Sequence, residues 1–90
     1  MVMASIHEQH GRLVKAVKLA DVLDALHITA AAAADLTKAN WKLFALIANV
    51  PTPSIEAQQA VVELLKARES MREWVARSVV NGLVAQRSAA

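Results

Sequence analysis

The sequence has no cysteine and no tyrosine, only two glycines and two prolines in 90 residues, and aromatic residues make up 3% of it. Without cysteine there is no disulfide scaffold, no thiolate zinc site and no cysteine nucleophile. So few glycines and prolines leave little chain for loops, and no glycine-rich phosphate cradle is present. A chain this short buries roughly 60–65% of its unfolded surface, which leaves little room for a deep catalytic cleft. Long apolar runs are missing as well. The stretch from Leu13 to Leu36 is interrupted by Lys15, Lys18, Asp21, Asp24, His27 and Asp35, groups that the bilayer interior strongly disfavours, so no membrane span is expected. Asp21 and Asp24 also sit where a signal peptide needs an apolar core, and a cytoplasmic location is expected.

What the chain has in abundance is alanine, nineteen residues of it, within a hydrophobic content of 56%. Much of the apparent greasiness is therefore helix propensity. Strand signals are absent, since no alternating β-branched run is bounded by turn residues. The fold class expected is all-α: one domain over residues 1–90, a compact bundle of four to five helices with a few frayed residues at each end.

Start and stop signals set the helices. Ser5-Ile6-His7-Glu8 has capping-box spacing and predicts a long first helix to about Leu26. His27-Ile28-Thr29 forms a joint, with Thr29 an N-cap for a short run from Ala30 to Leu36 and Thr37 the cap of a helix carrying Trp41, Leu43, Phe44, Leu46 and Ile47. Pro51 and Pro53 lack the N–H that a helix interior needs and disfavour helical geometry in the residue before each. The chain must leave the helix there, and Ser54 is a strong N-cap for the next helix, with Glu56 facing the positive end of the dipole. Ser70-Met71-Arg72-Glu73 repeats the capping-box spacing and predicts a separate last helix to about Gln86, with one unbroken helix from Ser54 as the alternative.

In the first helix Arg12, Lys15, Lys18, Asp21 and Asp24 recur every third position and so wind around most of the cylinder. Leu13, Val17, Leu19, Val22, Leu23 and Leu26 point in several directions, which suits a helix packed on more than one side. Such a helix is central to a monomeric bundle or lies across a subunit interface, and a homodimer is expected.

Catalytic signals are thin. His7 and His10 share a face at metal-ligand spacing but lack a third ligand, and His27 suits the carbonyl end of the first helix. Asp21 and Asp24 have no Ser/His partners in a catalytic order. No enzyme activity, metal or cofactor is expected.

From Trp41 the sequence reads WKLFALIANVPTPSIEAQQAVVELL, and residues 41–65 resemble the helix-turn-helix of prokaryotic DNA-binding proteins. Ala45 stands at the small close-approach position, Asn49 at the left-handed turn, and Val50 and Ile55 at the apolar positions that come after it. The resemblance implies a recognition helix from Ser54 to about Val62, with Thr52 and Ser54 on phosphate and Gln58 and Gln59 on base edges. It departs from the family in charge, because this helix has no Lys or Arg before Lys66 and phosphate neutralisation supplies much of the affinity in such complexes. A plain structural corner is the competing reading.

The net charge of +2 is unevenly spread. Lys66, Arg68, Arg72, Arg77 and Arg87 outweigh Glu69 and Glu73 near the C-terminus, while the middle of the chain is acidic. Lys66, Arg68 and Arg72 are candidate phosphate contacts, Arg68 and Arg72 four apart on one face. Met71, Trp74, Val75, Val79, Leu83 and Val84 form an apolar stripe expected to be core, dimer seam or partner surface. These residues suit two functions: a small, dimeric transcriptional regulator binding double-stranded DNA, or a helical protein–protein interaction module without a nucleic-acid role.

Overall fold

Three short joints, each dictated by a few residues, separate four helices among the described residues. The computed structural model describes residues 6–89, with side-chain surroundings for residue 11 and residues 13–85. The helices are α1 (Ile6–Ala25), α2 (Ala30–Ala34), α3 (Lys38–Ala48) and α4 (Ile55–Ala89), and no strand occurs among the described residues. The expected Ser5 cap and the side chains of His7 and His10 lie outside them.

The first joint closes α1 with a backbone cap. His27 adopts φ 60°, its N–H donates to the Asp24 carbonyl at 3.0 Å, and the Ile28 N–H reaches the Leu23 carbonyl at 2.9 Å. This is the Schellman pairing, which needs a left-handed residue after the helix. His27 thus closes the carbonyl end through its main chain rather than its side chain. Thr29 then caps α2, its hydroxyl accepting from the Ala32 N–H at 3.1 Å, and Thr37 caps α3 by accepting from Asn40 at 3.2 Å. Both caps stand where the sequence predicts them.

The last joint repeats the Schellman geometry. Asn49 takes φ 56° and ψ 47°, with Val50 N–H donating to the Ala45 carbonyl and Asn49 N–H to the Leu46 carbonyl. Pro51 and Pro53 carry the chain outside helical geometry until the Ser54 hydroxyl accepts from the Ala57 N–H at 3.2 Å and opens α4.

From there α4 runs 35 residues without a break, about 52 Å at 1.5 Å per residue. The separate last helix predicted at Ser70 does not form. No glycine or proline occurs between Ser54 and Asn81, so nothing removes a backbone donor, and an interruption at Ser70 would leave orphaned N–H and C=O groups to satisfy. The consequence is shape: the chain extends 61 × 30 × 20 Å, an elongated arrangement in place of the compact one expected.

The core lies where α1 meets α3 and α4, and α2 closes over α4. Ala16, Leu19, Ala20 and Leu23 recur at i, i+3, i+4 and i+7 along α1 and are buried against Val61, Val62 and Leu65 of α4 and Trp41 of α3. Each fully buried leucine or valine contributes roughly 1.5–3 kcal/mol. Ala30, Ala33 and Ala45 are buried as well, so alanine serves close helix approach. The expected packing of α1 on several sides is not seen: its buried residues form one stripe that meets both α3 and α4, while Leu13 and Leu26 are exposed. Trp41 is 2% exposed and Trp74 65%.

Candidate interaction surface

Helices α1 and α4 run side by side in the same direction. Asp21 and Asp24 of α1 lie beside Arg68 and Arg72 of α4: one terminal nitrogen of Arg68 is 2.8 Å from an Asp21 oxygen, the other 3.7 Å from Asp24, and Arg72 donates to both Asp24 oxygens at 2.5 Å. The hydrogen bond from Arg72 holds the Asp24 carboxyl below its ordinary value of 3.8, and the charges of Arg72, Arg68 and His27 add to this against partial desolvation. Beside this pair of bridges, Glu69 accepts from the Ala30 N–H at 2.8 Å and ties the start of α2 to α4. The two arginines therefore face aspartates of α1, and neither Glu69 nor Glu73 is their partner.

This network marks the end of the body. Helix α1 stops at Ala25, one residue past the Asp24–Arg72 bridge, and every residue of α4 from Ser70 to Ala85 is exposed. Residues 73–85 form an overhang about 20 Å long. Its sequence is not that of a solvated helix. Met71, Val75, Val79, Val80 and Leu83 are exposed, Val79 at 57% and Leu83 at 56%. With Trp74, Ala76 and Gly82 they cover about two-thirds of the circumference at 100° per residue. A helix apolar over so much of its surface is ordinarily covered by neighbours.

The apolar face is also a continuation. Val62, Leu65, Glu69, Arg72, Ala76, Val79 and Leu83 succeed one another at alternating steps of three and four. The first two are buried in the core, Glu69 and Arg72 bind α2 and α1, and the last three continue along the same line past the end of α1. The predicted stripe residues Met71, Trp74, Val75, Val79 and Leu83 are thus brought together on one segment, and none is core.

The candidate DNA contacts have other engagements. The Ser54 hydroxyl caps α4, and the half-buried Gln58 donates its amide to the Pro53 carbonyl at 3.3 Å. Lys66 pairs with Glu63 at 3.2 Å, while Arg68 and Arg72 bind the α1 aspartates. Thr52 and Gln59 are exposed. Ile55, an apolar position of the resemblance, is 74% exposed. The close helix pairs are α1 with α4, α2 with α4 and α1 with α3, so α3 leans on α1 and the two helices of the corner are not a closely packed pair. A second apolar patch, Leu43, Leu46 and Ile47, lies on the outer side of α3.

Sequence reasoning missed the pairing of Asp21 and Asp24 with Arg68 and Arg72. Two aspartates three apart and two arginines four apart, in segments of opposite charge, carried the signal. Among the described residues no cluster of three potential metal ligands occurs, and no helix is long and apolar enough to cross a membrane. No protein-family model, curated protein or solved structure matches the chain.

Proposed function

We propose that this chain is a helical protein–protein interaction module, in which a small helical body presents the overhang of α4 to a partner. The observation that carries this reading is the apolar face of Val75, Ala76, Val79 and Leu83, which continues the core-facing line of α4 beyond the last residue of α1. Exposed contiguous apolar surface of this kind marks interaction sites, and an isolated helical segment of this length is marginal in water without packing. The body supplies rigidity through the bridges of Arg68 and Arg72 to α1, and the overhang supplies the contact.

Duplex DNA is the second reading. It draws on the left-handed Asn49 corner and the exposed Thr52 and Gln59. Against it stands the engagement of Lys66, Arg68 and Arg72 in ion pairs within the chain, because phosphate neutralisation by such side chains carries much of the affinity for DNA.

Two measurements test the choice. A photo-crosslinking residue at Val79, compared with one at exposed Ala39 of α3, should give protein adducts from Val79 in cells and few from Ala39. Equal yields at both positions, or none at Val79, would contradict the module reading. Retention on duplex DNA at low salt, lost steeply as salt rises and weakened by Arg68→Ala with Arg72→Ala, would favour the regulator instead.

A further inference from the structure

We infer that α2 is a flap: residues 29–35 lift from α4 and settle back while α1, α3 and α4 stay folded, and the Glu69 carboxylate is the latch that holds them down. The flap is independent of what the overhang of α4 meets. Three features lead to it.

The first is how little apolar surface holds the segment. Of residues 29–35 only Ala30 and Ala33 are buried, and each brings a single methyl group. The larger apolar side chains stand just outside, Ile28 before the segment and Leu36 after it, both packed against the core. They are anchors at the ends of a span whose middle adds little burial. Helix α1, by contrast, puts Leu19 and Leu23 together with Ala16 and Ala20 into the same core.

Length is the second. With five residues, α2 is far shorter than a helix that repays the ordering of its first turn. Its order therefore depends on what it touches, and its close neighbour among the helices is α4. On the outer side Thr29, Ala31, Ala32, Ala34 and Asp35 are exposed. A groove of about 520 Å³, lined by Ala33, Ala34, Trp41 and Val62, opens along the edge of the segment.

The third is the latch. The Ala30 N–H is one of the donors that a helix leaves unpaired in its first turn, and it donates to a Glu69 oxygen at 2.8 Å. Among the described residues this is the only hydrogen bond between residues 29–35 and α4. The Thr29 hydroxyl accepts from Ala32 inside the segment and travels with it. Lifting the flap uncovers Val62, which stands on the line of α4 that Ala76, Val79 and Leu83 carry past the body. The position of α2 thus sets how far apolar surface reaches from the core side of that line.

Amide exchange of the full chain tests the flap. The Ala33 N–H is bonded to Thr29, Asp35 to Ala32 and Leu36 to Ala33, so these amides report opening. They should exchange at least about a hundredfold faster than the Leu23 amide and respond weakly to low urea, because a local opening exposes little surface. Leu19→Ala, which weakens the α1 core, should speed the Leu23 amide at least about tenfold and leave the α2 amides unchanged. Glu69→Ala should speed the α2 amides at least about threefold, and Glu69→Gln, which keeps an acceptor oxygen, should recover most of the loss. Because the chain has no cysteine, Val62→Cys labelling with a thiol reagent reads the uncovering, and Glu69→Ala should speed it by the same factor as the α2 amides. Amides of α2 that match Leu23 in rate and urea dependence, or that follow it in Leu19→Ala, would overturn the flap. Rates of α2 untouched by Glu69→Ala would overturn the latch, and Val62→Cys labelling untouched by it would overturn the uncovering.

Discussion

Arg72 of α4 donates to both carboxylate oxygens of Asp24 of α1, and it does so at the last point where the two helices touch. Before this bridge α4 is part of a core, and after it every described side chain of α4, through residue 85, is exposed. The same arginine holds the Asp24 carboxyl below its ordinary value, which ties the bridge to pH. A carboxylate with a lowered value in the folded chain contributes stability that is present above its unfolded value, near 3.8, and lost as pH falls through the lower folded one. Asp24→Asn should therefore lower Tm at neutral pH and flatten its acid dependence below about pH 4. Thermal unfolding followed by circular dichroism from pH 2 to 7 measures both.

The two left-handed joints respond in opposite ways to their side chains. Asn49 tolerates positive φ better than most residues because its short polar side chain can hydrogen-bond locally, and Asn49→Ala, which keeps the Cβ and loses that compensation, is expected to cost about 1 kcal/mol. His27 occupies the same geometry, which histidine adopts more often than most residues but less easily than glycine. His27→Gly is expected to stabilise the fold by about 0.5–1 kcal/mol, the left-handed strain relieved outweighing the entropy of the unfolded glycine. Urea unfolding of the two variants gives the comparison.

Apolar residues of the body and of the overhang should differ sharply in dilute solution. Leu23 is fully buried between α1 and α4, and Leu23→Ala should cost about 2–5 kcal/mol. Leu83→Ala removes a side chain that touches nothing in the body and should change monomer stability by no more than about 0.5 kcal/mol. Denaturation at low micromolar concentration separates the two.

Gly82 is a glycine inside a helix with open space where a Cβ would sit. Gly82→Ala should strengthen the overhang by up to about 1 kcal/mol of helix propensity, seen as increased helical ellipticity that persists to higher temperature.

Much of the body was legible in the sequence because its signals are local. Thr29, Thr37 and Ser54 cap helices through their own hydroxyls, the two prolines force the last joint, and Asn49 takes the left-handed turn. The His27 turn was legible only as a joint, because glycine and asparagine are the usual marks of a left-handed helix end. The unbroken α4 was harder to read because capping-box spacing at Ser70 is only permissive. Whether it starts a helix depends on whether anything stops the preceding one, and Glu69 and Arg72 are both held by the body. The overhang was legible as a stripe, but its place outside the core is decided by where α1 ends. Ion pairing between Arg68, Arg72 and the α1 aspartates spans more than forty residues of sequence, and the local spacings offer the charges without saying which segment they meet.

The central claim is that α4 is one helix with two surroundings, a body that stands alone and an overhang that needs a partner. Amide hydrogen exchange of the full chain at low micromolar concentration tests this most directly. Residues 58–72 should be protected, while residues 73–85, whose side chains are exposed, should exchange at least about tenfold faster. Protection of residues 73–85 equal to that of residues 58–72 in the dilute chain would contradict the account.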